Sequence, residues 1–226
     1  TLVIGVLTII YSVNQAGIND NENKKDQNHI HILGEQQRDT ILSNYVRDIS
    51  QLYLDLDDDE NANSKFQSKV AHTMTSATLR QLDPRRRGYL IRYLRELDLL
   101  ASINLTGVDL TKIVFPRSDV SDIYNNYQSI DLSRSILSNA TLKQIDLKNS
   151  DFAYAVLNDA SFALSNCINV NFTYAQLQWT DFSGADVTNA TFSYSNLHFS
   201  NIRYDQLSKA RTLRGAILPD GTVHMK

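Results

Sequence analysis

The chain has 226 residues, of which 42% are hydrophobic and 21% charged, with a formal net charge of −3 and a pI near 5.9. That is room for one large or two small domains with an apolar core, and it excludes a global basic field of the kind that draws a protein onto nucleic acid. A single cysteine, Cys167, rules out an intrachain disulfide and fits a reducing compartment.

Residues 1–13 (TLVIGVLTIIYSV) carry no charge. As a helix they would span about 20 Å against about 30 Å of hydrocarbon, too short to cross. Because the sequence begins at Thr1 and not Met, this stretch reads as the end of a truncated transmembrane helix, anchoring a single-pass protein. Residues 14–34 are polar and mixed in charge and read as a linker, with no block of Lys and Arg to fix orientation.

Residues 35–101 form a helical preface of about three helices. Ile41, Tyr45, Ile49 and Leu52 are spaced for one face of the first. The acidic run that follows, Asp55 to Glu60, departs from a calcium loop: Glu60 stands where a glycine is needed and Phe66 where a bidentate glutamate is needed. A second helix covers 64–81. A third starts after Asp83, which can cap it with Pro84 in its first turn. It buries Leu90, Leu94, Leu97 and Ala101 and leaves Arg85, Arg86 and Arg87 near its start as a candidate basic patch for a phosphate, a lipid headgroup or a partner.

From Tyr127 to Leu207 an apolar residue returns at every fifth position, with small residues such as Ser135, Ala140 and Ser150 two places before it. Neither the 3.6-residue period of a helix nor the two-residue period of a strand keeps this series on one side. A solenoid does, each five-residue unit forming one edge and then turning. Like residues recur at twenty. Leu137, Leu157, Leu177 and Leu197 form one column, Leu132, Phe152, Phe172 and Phe192 a second, Leu142, Phe162, Phe182 and Ile202 a third. Leu147, Cys167, Val187 and Leu207 form the fourth, so four units complete one coil. Earlier units centre on Leu105, Leu110, Phe115 and Val120, and two extra residues near 123–126 interrupt the series. The repeats thus span 102–207, and residues 208–226, where the period dissolves, read as a C-terminal cap.

The units NVNFT, DASFA, GADVT and NATFS resemble those of the pentapeptide-repeat family, with its A(D/N)LXX pattern. The resemblance implies a mainly β fold, a right-handed quadrilateral parallel β-helix with the central and i−2 side chains inward. Roughly five coils, about 4.8 Å apart, would stack to about 25 Å. The helices before the repeats resemble a preface found in some membrane-anchored members.

The sequence offers no catalytic constellation. The five histidines lack metal-ligand spacing and no Gly-rich phosphate loop is present, so no enzyme activity, metal or cofactor is expected. Asp109, Asp131, Asp146, Asp151, Asp181 and Asp186, each just before a central residue, can bond the backbone at the bends. Asn104, Asn139, Asn171 and Asn189 begin glycosylation triplets that the repeat itself generates. Outward, two places after the centre, Tyr154, Tyr174 and Tyr194 recur twenty apart and should stack as a ladder. Trp179, Phe199 and Tyr204 hold the same position on neighbouring sides. These six are the candidate partner surface. The expected role is a membrane-tethered scaffold that binds a protein, its repeats cytoplasmic rather than extracellular. A DNA-mimicking topoisomerase inhibitor, known in the resembled family, is disfavoured. Residues 103–210 hold ten Asp, no Glu and seven Lys and Arg, too few net charges for a polyanion mimic. A sensor or accessory module of a membrane complex is the third reading.

Overall fold

A computed structural model describes residues 25–54, 63–97, 99–100, 103, 105–115 and 126–225. The apolar segment 1–13, the acidic run 55–60 and residues 116–125 lie outside the described residues. The chain forms two compact units, Thr1–Arg86 and Arg87–Lys226.

In the first unit, α1 (Lys25–Leu54) packs against α2 (Asn63–Gln81). Helix α1 begins ten residues before the expected boundary, so part of the supposed linker is helical. Lys25 and Gln27 are good helix formers, and no proline stops the helix. The buried stripe is Leu42, Tyr45, Val46 and Ile49, while Ile41 and Leu52 sit at its margin. Leu42 and Val46, spaced i and i+4, take the places that the expected stripe gave to Ile41 and Leu52. Across the pair, the Tyr45 hydroxyl meets Thr75 Oγ1 at 2.7 Å, and Thr75 also donates to the Ala71 carbonyl, so both buried hydroxyls are satisfied.

Helix α3 (Pro84–Glu96) starts as the sequence predicts. Asp83 Oδ1 accepts the Arg85 and Arg86 amides at 3.0 and 3.2 Å, filling two of the orphan donors at the helix start. The boundary between the units falls inside this helix. Its second-unit part buries Leu90, Ile91, Tyr93 and Leu94. Arg87 Nη1 donates to the Thr111 carbonyl at 3.5 Å, and the Arg95 guanidinium lies 5.0 Å from the centre of the Tyr127 ring. The helix therefore lies against the first coil and covers the upper end of the stack, where coil edges would otherwise be open.

Below it, each coil meets the next through single-residue parallel bridges, four per turn, such as Asp131 to Asp151, Ile136 to Val156, Thr141 to Ser161 and Asp146 to Asn166. The offset is twenty, as the columns predict. Column residues are buried, and so are the small i−2 residues. Phenylalanines stack within columns, Phe172 on Phe192 at 5.1 Å and Phe162 on Phe182 at 5.1 Å. They meet edge to face between columns, as Phe152 does Phe162. Buried Ser135, Ser150, Ser165 and Thr180 donate to carbonyls of the preceding coil (Leu105, Tyr127, Leu142 and Leu157), so no water is needed to satisfy them.

Two boundaries differ from expectation. Asp109 bridges Ile136 and Val114 bridges Thr141, an offset of 27, whereas Asn126 bridges Asp146 at 20. The register therefore shifts by seven residues, not two, between Val114 and Asn126, and the expected unit centred on Val120 lies outside the described residues. The rings of Phe115 and Tyr127, both in the core, meet edge to face at 5.2 Å. At the other end the coil does not stop at Leu207. After the short α4 (Tyr204–Leu207), Thr191 bridges Thr212 and Asn196 bridges Ile217, an offset of 21. One residue taken up by α4 breaks the spacing without breaking the stack. The tail then folds back, with Ile217 paired antiparallel to Val223.

Candidate interaction surface

Every bend places the residue two after the centre at a positive φ, between 57° and 64° for the non-glycine residues. L-residues adopt this left-handed region at a cost of roughly 1–2 kcal/mol, least for Asn and Gly. Asn149, Asn169 and Asn189 occupy one corner column and pass hydrogen bonds from carboxamide to carboxamide at 2.8 and 2.5 Å. Upstream of each corner the aspartates act as expected. Asp109, Asp131, Asp146, Asp151, Asp181 and Asp186 each accept the amide two residues on, at 2.8–3.1 Å. Their carboxylates are committed to turns.

The aromatic ladder is present. Tyr154, Tyr174 and Tyr194 stack with centroids 4.9 Å apart and planes within 10°, and each ring is about half exposed. Both ends of the ladder are closed. The Arg134 guanidinium sits 5.4 Å over Tyr154. Below Tyr194, Gly215 (φ +68°) lies so close that a Cβ there would come within 2.5 Å of the ring. At the next corner Trp179 stacks on Phe199 at 4.2 Å, and Phe199 on His198 at 3.6 Å. Trp179 and Phe199 are 59% and 51% exposed. Tyr204 does not join them. It begins α4 rather than occupying a corner, and its hydroxyl donates to Asp220 at 2.8 Å. Arg134, His198, Gly215 and Asp220 escaped the sequence reading, though their offsets from the named aromatics could have found them.

The two aromatic corners border one side of the stack, whose column is Leu137, Leu157, Leu177 and Leu197. Its outward residues in those coils are Ile136, Val156, Gln176 and Asn196 before the centre, and Ser138, Asn158, Gln178 and His198 after it. None is Lys, Arg, Asp or Glu. The other three sides of the same coils carry Asp131 and Asp151, Lys143 and Asp181, and Asp146 and Lys148.

Arg85, Arg86 and Arg87 do not form a patch. Arg86 is 7% exposed and pairs with Glu35 at 2.7 Å, Asp39 at 2.7 Å and Asp83 at 2.6 Å. Burial disfavours its charge, but these acids hold its pKa above the ordinary value. Arg87 is largely buried beside Thr111 and Asp109, and Arg85 alone is exposed. A run of three on a helix points three ways, and the structure uses the middle one as an internal clamp. Cys167 is fully buried, and burial raises its thiol pKa, with Asp186 and Asp146 adding to the shift. It is a core residue. Among the described residues no cluster of His, Cys, Asp or Glu is placed to hold a metal.

The family profile of Pentapeptide repeats (8 copies) matches residues 128–162, 150–189 and 171–203. Residues 128–203 belong to the pentapeptide-repeat family. Solved structures of pentapeptide-repeat proteins are similar to this chain. One is HetL, involved in heterocyst differentiation regulation in the cyanobacterium Nostoc sp. strain PCC 7120, at 21% identity, covering 54% of this chain and 67% of that one with a TM-score of 0.34. A second is Rfr23 from the cyanobacterium Cyanothece 51142, at 26% identity, covering 53% and 86% with a TM-score of 0.28. A third, from the Arabidopsis thaliana thylakoid lumen, has 23% identity, covers 53% and 83%, and has a TM-score of 0.19. No curated protein matches. In this pentapeptide-repeat protein the profile reaches the coils that carry both aromatic corners.

Proposed function

We propose that this pentapeptide-repeat protein is a non-catalytic scaffold, a right-handed quadrilateral β-helix that presents the side between its two aromatic corners to a protein partner. The observation that carries this reading is the charge-free side bordered by the Tyr154–Tyr174–Tyr194 and Trp179–Phe199 stacks. Depletion of charge with enrichment of Tyr, Trp and Phe is the composition of the buried centre of protein interfaces. Flatness favours a partner, since the coils hold successive outward side chains on a fixed grid of about 4.8 Å.

Residues 1–13 complete the reading as a membrane tether, with the repeats on the cytoplasmic side. Among the described residues no helix is long and apolar enough to cross a membrane, so the tether rests on that uncharged segment alone. Affinity capture from native membranes, using the protein with its native N-terminus, tests the scaffold, and protease protection tests the sidedness. Trp179→Ala with Tyr174→Ala should lose captured partners. Retention of every partner by a folded double variant would sink the binding role.

A further inference from the structure

We infer that Trp179 and Asp159 together form a seat for an arginine side chain of the protein partner. This rests on the scaffold reading and specifies the chemistry of its partner.

The two aromatic stacks are built alike but end differently. At its upper end the tyrosine ladder is closed by the fold itself, with Arg134, one coil above Tyr154 in the same corner column, holding its guanidinium 5.4 Å over the ring. At the lower end each stack meets a glycine. Gly215 lies under Tyr194, and Gly221 lies beside His198, where a Cβ would stand 3.1 Å from Nε2. The tryptophan stack has no such closure above. One face of the Trp179 indole is taken by Phe199. The other points toward the coil above, where the corner position equivalent to Arg134 holds Asp159. The Asp159 amide donates to the Gln178 carbonyl at 3.0 Å, fixing that register.

Asp159 is exposed. The aspartates before the column residues spend their carboxylates on turn amides, but Asp159 is a corner residue with no amide to cap, and its carboxylate has no hydrogen bond or ion pair among the described residues. It is the only carboxylate in its corner column of Lys112, Asn139, Asp159, Trp179 and Phe199, and Lys112 stands two coils above it. An open indole face with a carboxylate one coil above calls for a planar cation, which can stack on the ring while pairing with the acid. Arg134 on Tyr154 is the internal precedent. Here the fold supplies the anion and leaves the cation to the partner. Guanidinium suits the seat better than ammonium, because it is planar and less strongly hydrated.

Trp179 is the chain's single tryptophan, so intrinsic fluorescence reports this site alone. The probes are acetylated tetrapeptide amides of arginine, lysine and citrulline, the last a neutral near-isostere of arginine. The arginine peptide should quench Trp179 saturably, the lysine peptide more weakly, and the citrulline peptide about tenfold more weakly than arginine. Asp159→Asn should weaken the arginine peptide about fivefold, the effect of an exposed ion pair. Asp159→Arg should fill the seat from within. It should quench Trp179 without peptide, as Asp159→Asn should not, and abolish the response to the arginine peptide. Equal binding of arginine and citrulline peptides, or unchanged binding by Asp159→Asn, overturns the seat. Loss of captured partners in Trp179→Ala but not in Asp159→Asn would also overturn it, while leaving the scaffold reading standing.

Discussion

Replacing Tyr174 with alanine and with glycine separates what the tyrosine ladder contributes from what its backbone costs. Tyr174 has rings 4.9 Å above and below it, a φ of 59° and an exposure of 45%. Covering roughly 100 Å² of the side chain contributes about 2.5 kcal/mol at 25 cal/mol/Å². The two stacking contacts add about 1 kcal/mol between them. Alanine loses these contacts and keeps the left-handed strain, so Tyr174→Ala should destabilise the coil stack by about 3–4 kcal/mol. Glycine loses the same contacts but relieves a strain of about 1 kcal/mol. Tyr174→Gly should therefore be the more stable variant by about that amount, opposite to the order in a regular strand, where glycine is worse by roughly 0.5–1 kcal/mol. Urea unfolding followed by Trp179 fluorescence would show this as a midpoint difference of about 0.5 M. An alanine variant as stable as the glycine variant would refute the claim that the ladder holds its residues in a costly conformation.

Gly215→Ala should cost about 2–4 kcal/mol, from its φ of +68° and the collision with the Tyr194 ring; adding Tyr194→Ser should recover part of that loss in the same urea series. Arg86→Met should destabilise the helical unit by about 2–3 kcal/mol, because it strands Asp39 and leaves Glu35 and Asp83 to share Arg38. That lies below the roughly 3–5 kcal/mol of a fully buried pair, as these acids are 26–32% exposed. Burial opposes ionisation of Glu35 and Asp83, yet hydrogen bonds from Arg38 and Arg86 hold the first below its ordinary pKa, and Arg86 with the α3 amides the second. The unfolded chain then binds more protons in acid, so stability is full above about pH 4.5 and declines as pH falls through the lowered values. Arg86→Met should flatten that decline, as read by circular dichroism between pH 6 and pH 2. The Cys167 thiol should resist aromatic disulfide reagents in the native protein and react fully in urea, a labelling rate at pH 8 that tracks opening of the stack.

The repeat region was legible because its constraint is local and recurs. A five-residue period with like residues at twenty fixes which side chains are inward, and it placed Tyr154, Tyr174 and Tyr194 in one stack before any coordinates. Failures came where an aperiodic element hides inside a periodic one. The register shifts by seven residues between Val114 and Asn126 where the spacing showed two, and the loss of spacing after Leu207 reflects one residue absorbed by α4, not the end of the coil. The fate of Arg86 was not legible at all. Its partners Glu35 and Asp39 are some fifty residues away in sequence, and spacing along one helix says nothing about what a neighbouring helix brings. The same applies to Gly215, whose role depends on a ring 21 positions earlier.

The offset of twenty also makes the length of this molecule quantised. Removing residues 147–166 would set Leu142 directly before Cys167 and leave every column continuous, one storey shorter. Removing five residues from the interior would turn everything below the cut by a quarter revolution, bringing the Phe172 column under the Leu147 column and scattering both aromatic corners. The seven-residue shift before Asn126 leaves the stack intact, since the coils resume in register on both sides of it. Growth of such a chain is therefore free at its corners and restricted to whole storeys along its axis.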